Sequence, residues 1–154
     1  KTKSKEDAFT MIQSLQGRAH QVYTGTAILI FDEFGSCRTV NHAVRTEVFV
    51  NPMSEEEITD YIEHENVMDK AGAYGIQGRF AIHIDKIEGD YYNVVGLPIS
   101  YIYEVLKKEE NDEKPNGIQT GISTFDVYGS AANGVDADPV YVQYCGQHIC
   151  CEIG

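Results

Sequence analysis

The sequence predicts an α/β fold of the mixed, α+β kind, in which helices flank a mixed sheet. Three observations support this prediction. Apolar residues recur at helical spacing behind serine caps, runs rich in β-branched and aromatic residues lie between those segments, and the two patterns alternate along the chain. The resulting order of helix, strands, helix, strands and helix disfavours a pure sandwich or a helical bundle.

The first predicted helix follows Ser4, a suitable N-cap with Asp7 three residues later, and Gly17 is a natural stop. The apolar residues between them recur at helical spacing, namely Ala8, Met11, Ile12 and Leu15. Two strand-like runs come next, "HQVYTGTAILIF" and "CRTVNHAVRTEVFV", with the turn "DEFGS" between them. The second run predicts one long strand or two short ones.

The clearest local signal is "NPMSEEEITDYIEH", which predicts the second helix. Ser54 is its N-cap, Glu57 completes a capping box, and Met53 is placed to pack on Ile58 as a hydrophobic staple. Acidic residues in the first turn suit the positive end of the helix dipole.

Beyond the connection "MDKAGAYGIQG" at residues 68–78, the segments "RFAIHIDKI" and "YYNVVGL" predict two strands, with His83 on a strand surface. The segment "LPISYIYEVLKK" predicts the last helix. A polar linker, "KKEENDEKPNG", follows. We therefore predict one domain at residues 1–108 and an acidic extension of unknown role at residues 109–154, whose deletion leaves the cooperativity of core folding little changed.

Composition excludes several classes of function. A net charge of -12 over 154 residues argues against binding a nucleic acid polymer, although a small anionic ligand stays compatible with it. The chain shows neither an apolar run long enough to span a membrane nor a signal peptide. A cytoplasmic protein is the simplest interpretation, and a homodimer is one compatible assembly.

The four cysteines are Cys37, Cys145, Cys150 and Cys151, and the last three of them lie within the final ten residues. This distribution does not resemble a disulfide framework. The tail segment "CGQHICC" also contains His148, so a metal-binding interaction site there is an alternative. Its spacing matches no standard zinc finger, and thiols without a metal are the simpler interpretation.

The connection at residues 68–78 is the main candidate binding site. Its glycines, Gly75 among them, let backbone approach a ligand closely, Lys70 can meet a phosphate, and Gln77 offers a donor and an acceptor to the edge of a base. A tight turn that only needs positive φ angles is the competing and simpler interpretation. In "YTGTA", Thr24 can bond a ligand, or the segment is an ordinary strand kink.

Three segments carry a resemblance to a known family: "EDAFTMIQSLQGRAHQVYTG", "TEVFVNPMSEEEITDYI" and "MDKAGAYGIQGRFAIHIDKIEGDYYNVVGLPISYIYEVL". Together they resemble the Maf family of nucleoside triphosphate pyrophosphatases, related in fold to the inosine triphosphatases. The form "GAYGIQG" resembles the branch that acts on dTTP and UTP. The resemblance runs from Lys1 to about Lys108, and residues 109–154 have no counterpart in it.

The resemblance implies hydrolysis of dTTP or UTP to a nucleoside monophosphate and pyrophosphate, with Mg²⁺ or Mn²⁺ accompanying the nucleotide. It places Gln77 at a substrate-specificity position and aligns Lys1 with the lysine of a family "G-K-P" segment. It also implies that the family's phosphate loop and catalytic aspartate lie upstream of Lys1, so no catalytic residue is assigned and negligible turnover is expected from this chain alone. A non-catalytic nucleotide-binding or protein-interaction module is the alternative.

Overall fold

A computed structural model describes residues 2–31, 34–112 and 140–150, with residues 110–112 and 140–150 described by their backbone alone. The helices are α1 (Lys5–Leu15), α2 (Glu55–His64), α3 (Tyr91–Val95) and α4 (Ile99–Asp112). The strands are β1 (Ala19–Phe31), β2 (Cys37–Val50), β3 (Ile84–Glu88) and β4 (Val140–Cys150). Two 3-10 turns lie at Ala71–Ala73 and Arg79–His83. The mixture of helices and strands predicted from the sequence is confirmed.

The sheet has the strand order β3-β2-β1-β4, and all three of its described ladders are antiparallel. Strands β1 and β2 form one long hairpin, paired from Ala19 with Phe49 to Phe31 with Cys37. Strand β4 pairs with the other edge of β1, and an irregularity separates Thr24 from Thr26 in that ladder. Strand β1 is therefore hydrogen-bonded on both sides.

Both long helices at the start of the chain are capped as predicted. The hydroxyl of Ser4 accepts from the backbone N–H of Asp7, and Gly17 takes a φ of +67° just beyond α1. At α2, Ser54 and Glu57 exchange both bonds of a capping box. Each cap satisfies N–H groups that have no partner within the helix, which fixes where the helix begins.

The main core lies between α1, α2 and the near half of the hairpin, and its largest fully buried side chain is Phe80. A second, smaller cluster of Ile28, Ile102 and Leu106 joins α4 to the far half of the hairpin. On the same side of the hairpin, the ring of His42 stacks on Tyr101 with 4.3 Å between ring centroids.

One predicted strand is wrong in the structure, and a second is confirmed only in its last residues. "YYNVVGL" forms helix α3, because the Asp90 carboxylate accepts from the Tyr92 N–H at 2.8 Å and Gly96 ends the turn at a φ of +129°. "RFAIHIDKI" begins as a 3-10 turn and becomes a strand only at Ile84. Its aromatic and β-branched composition is overridden because Phe80 turns inward against two tyrosine rings.

Two further expectations need correction. His83, predicted on a strand surface, ends the 3-10 turn with its ring 5.6 Å from that of Phe80. Helix α4 continues to Asp112 through residues assigned to the linker, and Glu109 forms an ion pair with Arg38 of β2. Within the described residues, no helix has the length and apolarity that crossing a membrane requires.

Candidate functional site

A cavity of about 330 Å³ lies beside the connection between α2 and the second 3-10 turn. We call the segment 69–78 the glycine loop and the cavity the loop cleft. The lining residues come from the glycine loop and from α3: Asp69, Lys70, Ala71, Tyr74, Gly75, Ile76, Gln77, Val94 and Val95. Three residues singled out from the sequence, Lys70, Gly75 and Gln77, are therefore together in one cavity.

Three residues with positive φ angles shape the backbone of the glycine loop. Gly72 and Gly78 adopt φ angles of +67° and +89°, a region that glycine occupies without steric cost. Ala73 adopts a φ of +62°, which is uncommon for a residue with a side chain, and its methyl group is fully buried. Core packing therefore holds a strained backbone position in the middle of the loop.

Hydrogen bonds from three elements hold the loop in place. The N–H of Gly75 donates to the Tyr61 hydroxyl of α2 at 3.3 Å, and burial raises the pKa of that hydroxyl. The Thr2 hydroxyl donates to the carbonyl oxygen of Lys70 at 3.4 Å. The third bond joins Tyr74 to His20 of β1 at 2.7 Å. The loop is thus attached to α2, to the segment before α1 and to the sheet.

Lys70 supplies the positive charge of the loop cleft. Its aliphatic stem lies against Gly75, where an added Cβ would meet Lys70 Cε at 3.1 Å. Its Nζ donates to the Asp69 carboxylate at 3.3 Å. Since this pair is partly exposed, water screens it and the ammonium group stays able to meet an anion. Absence of a side chain at Gly75 lets the lysine stem lie flat along the loop.

Thr24 and Lys1 are not placed in the cleft. Thr24 is fully buried in β1, and its hydroxyl donates to the carbonyl oxygen of Asn93 at 2.9 Å. It supports α3, which lines the cleft, and the direct ligand contact expected of Thr24 stays a prediction. Lys1 lies outside the described residues, so its expected substrate contact stays a prediction as well.

The sequence did not identify the α3 wall of the cleft. The sequence predicts a strand at Val94 and Val95, whose side chains would alternate between two faces. The signal that identifies the helix is local: Asp90 is an N-cap residue, and Gly96 follows five residues of helix. Tyr74 belongs to the connection at residues 68–78, but no sequence signal predicts its hydrogen bond to a histidine 54 positions away.

A second cavity, of about 370 Å³, lies between the outer faces of α1 and α2. Its walls are side chains of two regular helices, such as Phe9 and Ile62, and the backbone N–H groups are bonded within those helices except in the first turn of α1. The loop cleft offers irregular backbone as well as a lysine and an amide. It is therefore the better candidate for binding a polar ligand.

A metal centre requires several donor side chains close together. No group of three or more histidine, cysteine, aspartate or glutamate side chains there is arranged to hold a metal ion. The cleft contributes one carboxylate, Asp69, which is bonded to Lys70. The described residues therefore do not fit a resident metal centre. The side chains of Cys145, His148 and Cys150, and all of Cys151, lie outside the described residues.

The fold is that of an α+β protein, and the glycine loop presents a lysine, an amide and irregular backbone as a candidate site for a small polar ligand. A family model described as Maf-like protein matches residues 1–109, and the chain belongs to the Maf family. The resemblance stated from the sequence is confirmed. Strand β4 lies outside the matched residues.

Curated relatives match the same part of the chain. A dTTP/UTP pyrophosphatase of Lachnoclostridium phytofermentans is 46% identical over 108 residues, which are 70% of this chain and 55% of the relative. Proteins of the same name from Agathobacter rectalis and Thermoanaerobacter sp. are 50% and 47% identical, over 53% and 56% of their lengths. The chain thus spans about half the length of the curated relatives it matches, and it is similar to the dTTP/UTP branch.

Proposed function

We propose that this chain binds dTTP or UTP in the loop cleft, as part of a nucleoside triphosphate pyrophosphatase that releases a nucleoside monophosphate and pyrophosphate. The observation that carries the proposal is the convergence of Lys70, Gly75 and Gln77 on one cavity, within the residues that match the Maf family. The names of the similar proteins, all dTTP/UTP pyrophosphatases, support the substrate class.

The roles follow from the chemistry of the side chains. The amide of Gln77 offers an N–H donor and a carbonyl acceptor, which match the alternating acceptors and donors on the edge of a uracil or thymine ring. The Lys70 ammonium group attracts the phosphates, and the missing side chain at Gly75 leaves room for the lysine stem beside the loop. A volume of about 330 Å³ suits a nucleoside with part of its phosphate chain.

The divalent cation, Mg²⁺ or Mn²⁺, is proposed to arrive with the nucleotide. This assignment is supported by the single carboxylate of the cleft, because Mg²⁺ is often held by one or two carboxylates and substrate phosphates. When bound, the cation would offset phosphate charge.

A cytoplasmic location belongs to the same proposal, supported by the exposed, unpaired thiol of Cys37. A nucleic acid polymer is not proposed as a partner, since the net charge of -12 opposes it. A homodimer is the proposed assembly, and analytical ultracentrifugation of the full chain measures it.

Calorimetric titration tests the binding proposal directly. The full chain, in Mg²⁺ buffer, should bind dTTP and UTP more tightly than GTP. Gln77→Ala should weaken pyrimidine nucleotide binding about tenfold to a hundredfold, because a ligand polar group loses its partner at a cost of about 1–3 kcal/mol. Gln13→Ala is the matched control, since Gln13 is exposed on α1 and does not line the cleft.

The outcomes separate three functions. Equal affinity of the wild type and Gln77→Ala for all three nucleotides removes Gln77 from the site. Pyrimidine selectivity without pyrophosphate release, also when the family segments expected upstream of Lys1 are joined to the chain, indicates the non-catalytic alternative. Absence of nucleotide binding with tight binding of Zn²⁺ indicates the metal-binding tail.

A further inference from the structure

His20 is buried in the core beside the loop cleft, and the site described above does not account for it. It is the second residue of β1 and is only 2% exposed. Its Nε2 lies 2.7 Å from the Tyr74 hydroxyl, and the two rings meet edge to face with centroids 5.5 Å apart. Tyr74 lines the loop cleft and directly precedes Gly75. His20 is thus one hydrogen bond away from a residue that lines the loop cleft.

The protonation of His20 follows from its surroundings. Burial, with a smaller contribution from Arg18, lowers its pKa to about 4, so the ring is neutral near pH 7. A neutral imidazole carries one N–H, and Nδ1 is buried without a hydrogen-bond partner among the described residues. An orphaned buried N–H is rarer in proteins than an unused acceptor. The proton is therefore assigned to Nε2, which donates to the Tyr74 hydroxyl oxygen.

This donor direction orients the tyrosine. Because the Tyr74 oxygen accepts from His20, its hydroxyl hydrogen points away from the imidazole. The next residue along the loop is fixed by a second bond, which the Gly75 N–H donates to the Tyr61 hydroxyl. The two bonds constrain consecutive residues of the glycine loop, one through a side chain and one through the backbone.

We propose that His20 is a positioning residue for the loop cleft, holding the Tyr74 hydroxyl and thereby the glycine loop in the arrangement that receives the pyrimidine nucleotide. The inference rests on the proposed nucleotide binding. A purely space-filling role does not need an imidazole, since an apolar side chain of similar volume fills the site without burying an unpaired ring nitrogen. Unlike such a side chain, the imidazole donates a hydrogen bond from Nε2 to the Tyr74 hydroxyl oxygen.

The test is a double-mutant cycle on nucleotide affinity in the full chain. The dissociation constant for UTP with Mg²⁺ is measured for the wild type, His20→Leu, Tyr74→Phe and the double variant. Each single variant should bind UTP about tenfold more weakly, and the double variant no more weakly than either, because both remove the same bond. His20→Gln, whose amide keeps an N–H donor near the position of Nε2, should recover most of the affinity.

Ile28→Val is the matched control, because Ile28 is a fully buried residue of the same strand in the other hydrophobic cluster. It should lower stability and leave the UTP dissociation constant unchanged. A long-range nitrogen NMR spectrum adds a readout that packing alone would not move: the Nε2–H tautomer of His20, with a shift when UTP is added.

The outcomes distinguish the two ideas. A wild-type chain that binds UTP while folded His20→Leu and Tyr74→Phe bind it equally well overturns the positioning role and leaves the proposed function intact. Additive losses in the double variant, or a His20 ring protonated on Nδ1, overturn it too. A wild-type chain that binds no pyrimidine nucleotide overturns both. If His20→Leu fails to fold, Tyr74→Phe, which keeps the ring, decides the question.

Discussion

The side-chain amide of Asn93 donates a hydrogen bond to the hydroxyl oxygen of Thr46 at 2.9 Å, across 47 positions of sequence. The Thr46 hydroxyl in turn donates to the carbonyl oxygen of Asp90, the N-cap residue of α3, at 2.9 Å. Asn93 also donates to the carbonyl oxygen of Val22 at 3.1 Å. One asparagine thus ties the short helix that lines the loop cleft to both strands of the hairpin.

Asn93→Ala should lower the free energy of unfolding by about 2–4 kcal/mol, because it deprives two buried acceptors of their donor at about 1–3 kcal/mol each. Urea denaturation measures this change. Asn41→Ala is the control, since Asn41 is an exposed residue of β2, and it should change stability by less than about 0.5 kcal/mol. Equal midpoints for the two variants would contradict the role of this network.

Gly89→Ala tests the close contact between the end of β3 and β2. An added Cβ would lie 2.9 Å from Thr46 Oγ1 and 3.2 Å from the carbonyl oxygen of Arg45, at a φ of +126° that side chains rarely adopt. We expect this substitution to lower the free energy of unfolding by about 2–5 kcal/mol, because it adds both backbone strain and overpacking.

Gly35→Ala separates the two effects. Gly35 also has a positive φ, of +80°, but an added Cβ meets nothing within 4 Å among the described atoms. Gly35→Ala should lower the free energy of unfolding by about 1–2 kcal/mol, because only the backbone is strained. Thermal and urea unfolding of the two variants measure the difference, and equal losses would show that crowding at Thr46 is relieved by small shifts.

The fold was predicted well where the signals lie within a few residues of one another, as in helix caps and strand-like runs. The caps at Ser4 and Ser54 and the β-branched runs of the hairpin fixed α1, α2, β1 and β2, because those signals act within a few residues. Helix α3 was missed because its Asp90 cap was outweighed by a strand-like composition. The pairing of β4 with β1 had no sequence signal, since antiparallel partners far apart in sequence share only an alternation pattern.

For the candidate site, too, the sequence predicted the residues that lie close together in the chain and not their distant partners. Lys70, Gly75 and Gln77 lie within one short segment, and the structure brings them to one cavity. The partners that hold this segment come from elsewhere in the chain, such as Tyr61 from α2 and His20 from β1. Those contacts depend on tertiary packing, which periodicity does not encode. Thr24 has the residue type expected of a ligand contact but uses its hydroxyl on Asn93.

Acid should destabilise the wild-type chain more than His20→Gln. The pKa of His20 is about 4 in the folded chain and 6.5 as its ordinary value, so the unfolded chain takes up a proton first as the pH falls. The stability that depends on neutral His20 is complete above pH 6.5 and is lost progressively towards pH 4. A shift of this size corresponds to about 3 kcal/mol.

Urea denaturation of both chains between pH 7 and pH 4 measures this effect. The carboxylates titrate in both chains, so the difference between the two stability curves isolates His20. The wild-type advantage over His20→Gln should shrink by about 3 kcal/mol across this range. Parallel curves would show that His20 takes up a proton as readily in the folded protein as in the unfolded chain.

Deletion of residues 113–154 tests the division of the chain near residue 108. The backbone of β4 is paired with β1 from Gln21 to Ile30, so a chain ending at Asp112 keeps α4 but leaves that edge of the sheet unpaired. Because an unpaired edge invites association, the shorter chain should have a lower urea midpoint and self-associate in analytical ultracentrifugation. A chain ending at Cys150 retains β4 and is the control. Equal midpoints and a monomer in both would instead support residues 1–108 as an independent domain.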